Sequence, residues 1–122
     1  MTKTLDVITI GRSSVDLYGS QIGGRLEEMG SFQKYIGGSP TNMAAVTARL
    51  GPKSALITRV RADHMGSFIL EDLLKEGAVV RGVQTDSAPL QSLVLPRTRA
   101  DEHFPPLLFP HNSPAPPLCS SP

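Results

Sequence analysis

Tryptophan is missing from this sequence, cysteine occurs once, at Cys119, and neither sign of charge is in excess: 12 basic and 11 acidic residues leave a formal net charge of +1. The lone thiol excludes an intrachain disulfide framework and supplies no thiol set for zinc, so it reads as incidental rather than as a nucleophile. Balanced charge leaves no electrostatic footprint for nucleic acid or for an anionic surface. No apolar run approaches the roughly 20 residues of a membrane span, and Met1-Thr2-Lys3-Thr4-Leu5-Asp6 lacks a signal-peptide core, so a cytoplasmic chain with no nucleic-acid or membrane partner is expected. Gly-x-x-x-x-Gly-Lys-Ser/Thr, Gly-x-Gly-x-x-Gly, a nucleophile elbow and His-Glu-x-x-His are all absent, which removes P-loop, dinucleotide, serine-hydrolase and zincin readings and leaves no metal ligand set.

What is present divides unevenly. At 122 residues the chain is about one domain. All eleven glycines precede residue 83, whereas eight of the eleven prolines lie between Pro96 and Pro122. A boundary is placed there, with a folded part over 1–95 and a Pro-rich tail over 96–122. The uncharged, four-proline stretch Asn112 to Pro122 suits disorder or polyproline rather than a packed element.

Within the folded part, Leu5 to Ile10 is short and β-branched and predicts a buried first strand. Its loop, Gly11 to Asp16, places Asp16 beyond a strand's carboxyl end, where ligands collect in α/β folds; a solvated or capping aspartate is the alternative. Residues 17–36 read as a glycine-rich β excursion, either a flap over a site or a surface hairpin. Thr41 to Leu50 predicts a helix with Met43, Val46 and Leu50 facing the core and Ala44, Ala45 and Ala48 allowing close packing. Ser54 to Val60 predicts a second strand, and Asp63 caps a helix over 64–76 that Gly77 ends, with Glu71 and Lys75 as an exposed pair. His64 reads as an exposed first-turn residue. Val79 to Val83 and Gln91 to Leu95 follow as a third and a fourth strand. Strand, excursion, helix and strand in that order predict an α/β fold with a right-handed crossover onto a parallel sheet.

The most informative stretch is Gly37-Gly38-Ser39-Pro40-Thr41-Asn42. Ser39 suits an N-cap and Pro40 the first helical position, so backbone N–H groups gather where two glycines admit a polar ligand. Asn42 adds an amide able to donate and accept, as holding neighbouring hydroxyls requires. An ordinary capped helix after a tight turn fits the same residues.

The stretch Gly37-Gly38-Ser39-Pro40-Thr41-Asn42-Met43-Ala44, with Gly51 in register, resembles the first signature of the ribokinase-like, or phosphofructokinase-B, carbohydrate kinases. The order of elements agrees over roughly residues 5 to 95. The resemblance implies an incomplete ribokinase-like three-layer α/β fold with a β flap, followed by an irregular tail. It further implies transfer of the ATP γ-phosphate, with Mg²⁺, to a hydroxyl of a sugar or sugar acid, and homodimers in the full-length family. Carried over by position, Asp16, Gly37, Gly38 and Asn42 would bind sugar hydroxyls, and Arg12 would pair with a substrate carboxylate unless it is a solvated loop residue.

Two departures stand out. Arg61 replaces the glycine that closes the signature, in Arg61-Ala62-Asp63-His64-Met65-Gly66, and would cost about 1 kcal/mol or more if that position needs a positive φ. The family's catalytic aspartate and nearly all of its ATP site belong to a C-terminal half with no counterpart here. No catalytic, cofactor or metal residue is therefore named, weak ATP and Mg²⁺ binding is expected, and the chain reads as a truncated or frame-shifted, inactive product. A non-catalytic sugar-binding or regulatory half-domain is the competing reading.

Overall fold

The computed structural model describes residues 3–21, 23–87, 92–95 and 107–109. Strands β1 (Val7–Ile10), β4 (Ser54–Arg61) and β5 (Val83–Asp86) form a parallel sheet in the order β1-β4-β5. Helices α1 (Ser39–Arg49) and α2 (His64–Glu76) supply its crossovers. The second sheet has the order β3-β2-β6-β7. In it β2 (Ser14–Gly19) pairs antiparallel with β3 (Phe32–Gly37) and parallel with β6 (Ser92–Leu95), and β7 (Leu107–Phe109) pairs antiparallel with β6. This is the expected α/β class with a β flap. Strand β7 falls inside the stretch read as tail, and its backbone belongs to the flap sheet; the remainder of 96–122 lies outside the described residues.

The core joins the two sheets. Val15 of β2 packs with Ala44 and Ala45 of α1, Leu56 and Val60 of β4, and Ile69 and Leu73 of α2. Leu93 of β6 packs against the same cluster. Helix α2 forms as its punctuation dictates: the Asp63 carboxylate accepts from the N–H of Met65 at 3.0 Å and of Gly66 at 2.9 Å, and Gly77 closes the helix at φ 89°.

Four local expectations are corrected. Helix α1 buries Thr41, Ala44 and Ala45, while Met43, Val46 and Leu50 are exposed. The small face wins because the helix backbone lies against the sheet: Ser54 Oγ donates to the Ala44 carbonyl at 2.6 Å, an approach that larger side chains would block. The first strand is not buried, since β1 is an outer strand with helices on one face; Thr9 points to α1, and Ile8 and Ile10 remain more than half exposed. The third strand begins at Val83 rather than Val79, because a turn with Val83 N–H bonded to the Val80 carbonyl at 3.0 Å intervenes. Glu71 and Lys75 form no ion pair among the described residues; the interhelical pair is Arg49 and Glu76, with Arg49 Nε to Glu76 Oε2 at 2.8 Å.

Arg61 is the last residue of β4, extended and in register with Asp86, and its Nε lies 3.3 Å from Asp63 Oδ2. An extended residue incurs no positive-φ cost, so the strain expected at this departure is not met. Glycine is instead required at Gly66, where a Cβ would collide with the Arg61 carbonyl.

Candidate functional site

A cleft of about 680 Å³ lies where the β2–β3 hairpin meets the first turns of α1, and Asp16 and Asn42 both line it. Asp16 stands within β2, not in the loop expected for it. The register Asp16↔Tyr35 and Tyr18↔Gln33 puts four side chains on one face of the hairpin, and all four line the cleft. Val15 and Leu17, alternating with them, turn to the core.

The Asp16 carboxylate is held from two sides. Ser14 Oγ donates to Oδ1 at 2.9 Å, and the carboxylate lies over Gly37 so closely that a Cβ there would collide with Oδ1. Oδ2 has no protein donor among the described residues. Gly38, at φ 93°, brings its Cα against the Arg12 carbonyl, where a Cβ would also collide. The space that a side chain would take at either glycine is thus filled by the protein itself.

Gly38, not Ser39, is the N-cap of α1, so no side chain caps this helix and Ser39 and Pro40 open its first turn. A glycine cap has no side chain to accept the first-turn N–H groups, and the helix end stays open. Asn42 donates its backbone N–H to the Gly38 carbonyl at 2.9 Å, and its side-chain amide has no protein partner among the described residues. Arg12 is exposed, forms no ion pair among the described residues and is not among the lining residues.

Sequence reasoning missed two features. One is the tyrosine and glutamine lining. The Tyr18 and Tyr35 rings meet edge to face at 5.3 Å and 84°, and Tyr35 Oη donates to Gln33 Oε1 at 2.7 Å. The other is a buried hydroxyl relay beneath the site: Ser13 Oγ lies 2.7 Å from Thr41 Oγ1 and donates to Thr58 Oγ1 at 3.2 Å, while Thr9 Oγ1 donates to the Pro40 carbonyl at 2.7 Å. It fastens the start of α1 to β1, to the loop before β2 and to β4. No buried side-chain nitrogen or oxygen among the described residues lacks a partner. Among these residues no group of three or more histidine, cysteine or acidic side chains is placed to hold a metal ion. No helix there is long and apolar enough to cross a membrane.

A mixed flap beside a parallel sheet is a fold shared with known proteins. The chain belongs to the pfkB family of carbohydrate kinases, whose pattern matches residues 4–102. It is similar to the 5-dehydro-2-deoxygluconokinase of Geobacillus thermodenitrificans (strain NG80-2), 44% identical over 86 residues, which are 70% of this chain and 26% of that one. The chain therefore spans about a quarter of the length of the curated relatives it matches. Its fold is similar to that of a sugar kinase from Pyrococcus horikoshii solved with ATP, with a TM-score of 0.76 and 30% identity over 89% of this chain and 35% of that one. An E. coli protein described as a ribokinase II, solved with ATP and Mg²⁺, superposes with a TM-score of 0.67 and 25% identity, over 75% of this chain and 30% of that one.

Proposed function

We propose that this chain supplies the sugar-binding part of an ATP-dependent kinase acting in the cytoplasm on a hydroxyl of a sugar or sugar acid, with 5-dehydro-2-deoxygluconate of myo-inositol breakdown as the substrate. The observation that carries the proposal is the meeting of Asp16 and Asn42 in one cleft, each with hydrogen-bonding capacity that no described residue uses. Asp16 Oδ2 accepts from a sugar hydroxyl, and the Asn42 amide both donates and accepts beside it. Gly37 and Gly38 contribute backbone groups and hold Asp16 and Arg12 in place. Arg12 provides positive charge for an acid substrate from outside the lining.

ATP and Mg²⁺ enter through the likeness to nucleotide-bound kinases. The described residues offer no cluster of metal ligands, so they do not fit Mg²⁺ and no step is derived through it. That same observation favours, as the second reading, a half-domain that binds sugar without transferring phosphate. A homodimer belongs to the proposal as well, because β3 is the outer strand of its sheet and presents an edge to a second copy.

The sequence holds two tyrosines and no tryptophan, and both tyrosines line the cleft. Tyrosine emission therefore reports occupancy directly. Titration with 5-dehydro-2-deoxygluconate is expected to give a saturable change that Asp16→Ala abolishes, and ADP release with ATP and Mg²⁺ present decides between kinase and half-domain. No saturable change with any sugar or sugar acid would remove the sugar reading.

A further inference from the structure

Along one face of the β2–β3 hairpin the cleft changes character, and the change has a direction. Asp16, opposite Tyr35, contributes an acceptor whose Oδ1 is taken by Ser14. One level further along, Gln33 stands opposite Tyr18. Tyr35 Oη donates to Gln33 Oε1 at 2.7 Å, which occupies the amide oxygen and leaves Nε2 with its two N–H donors. Tyr18, packed edge to face on Tyr35, holds the ring whose hydroxyl fixes the amide. The lining thus runs from an anionic acceptor at Asp16, past an aromatic pair, to a donor at Gln33, over about 7–8 Å for diagonal neighbours of a hairpin.

We propose that Gln33, oriented by Tyr35, is the specificity determinant that selects sugar acids over neutral sugars and fixes which end of the ligand enters first. This rests on the sugar-binding reading above. A ligand with hydroxyls at one end and a carboxylate at the other fits the gradient in one sense only. Hydroxyls donate to Asp16 and the carboxylate accepts from Gln33 Nε2, whereas the reverse orientation sets two carboxylates against each other. Gln33 makes this contact from within the lining; Arg12 does not line the cleft. Tyr35 is a positioning residue, acting through Gln33.

Calorimetric titration with 5-dehydro-2-deoxygluconate and with neutral 2-deoxyglucose tests the proposal on the parent and on Gln33→Leu, Gln33→Glu, Tyr35→Phe and Asp16→Asn. The parent is expected to favour the acid, and Gln33→Leu and Tyr35→Phe to lower acid affinity relative to that for the neutral sugar about tenfold, the size of one lost charge-assisted bond. Gln33→Glu is expected to reverse the preference, a gain that misfolding cannot mimic. Asp16→Asn is expected to weaken both ligands. If the parent binds both ligands and the Gln33 variants leave their ratio unchanged, the specificity assignment is overturned while the sugar site stands. If the parent binds neither ligand, the sugar reading itself falls and takes this assignment with it.

Discussion

The parallel sheet and the flap sheet share Val15 and the core around it, yet they spend their side chains differently. Around the β1-β4-β5 layer the polar groups turn inward and find protein partners: Ser13 meets both Thr41 and Thr58, and Ser54 and Thr9 bind carbonyls of α1. In the flap the polar groups of one face turn outward with capacity to spare, at Asp16, Gln33 and across the cleft at Asn42. A hydroxyl that is buried and paired positions the chain, whereas a solvent-facing amide or carboxylate with capacity to spare can exchange water for a ligand. On the sugar-binding reading, what separates the two regions is spare hydrogen-bonding capacity rather than polarity alone.

Leu56→Ala gives the largest expected effect, because Leu56 is fully buried in the layer that carries the core. Loss of its side chain should destabilise the fold by about 2–5 kcal/mol, read as a lower urea midpoint. A loss under about 1 kcal/mol would mean that stability does not reside chiefly in the α/β layer. Gly37→Ala probes the other half. Its Cβ would displace the Asp16 carboxylate and strike Ser14 Oγ, so sugar affinity should fall at least about tenfold. The urea midpoint should move less than for Leu56→Ala. Unchanged affinity would show that the carboxylate need not sit over Gly37.

How much of this was legible depended on the range of the interaction. The caps at Asp63 and Gly77 are local chemistry, and the sequence predicts both ends of α2. Helical period finds α1 but not which of its stripes faces inward: Met43, Val46 and Leu50 are the more apolar choice, and the approach of Ser54 to the Ala44 carbonyl decides for the alanines. Asp16 was legible from its place after the first strand, although it stands inside β2, and Asn42 from the double-glycine start of α1. Tyr18 and Gln33 were not, since nothing short of the hairpin register sets them opposite each other. The relay of Ser13, Thr41 and Thr58 spans 45 residues and leaves no spacing to read.

Thr41→Val tests whether the two regions are coupled. The substitution keeps the shape and deletes the hydroxyl that meets Ser13 and the Arg12 carbonyl. A buried group left short of a partner costs about 1–3 kcal/mol. Because Thr41 precedes Asn42 at the start of α1, stability and sugar affinity should fall together. If stability falls and affinity does not, the relay serves the α/β layer alone.

The smallest effect expected is that of pH on the Arg49–Glu76 pair, and it sharpens the contrast by its location, since the pair joins α1 to α2 away from the cleft. The hydrogen bond from Arg49 holds the Glu76 carboxyl below its ordinary value, and the same bond raises the Arg49 guanidinium above its own. A carboxyl depressed by folding contributes stability that is present above its unfolded value and is lost as pH falls through the folded one. The raised guanidinium stays charged throughout that window, so the loss belongs to Glu76. Arg49 is largely exposed, which keeps the effect slight and makes added salt reduce it further. Thermal unfolding of the parent should therefore weaken slightly more steeply on acidification from about pH 6 to about pH 3 than that of Glu76→Gln. Sugar affinity at neutral pH should be identical in the two proteins. Equal acid slopes would show that the pair is not formed in solution, and a change in affinity would show that the helix layer and the flap site are not separable.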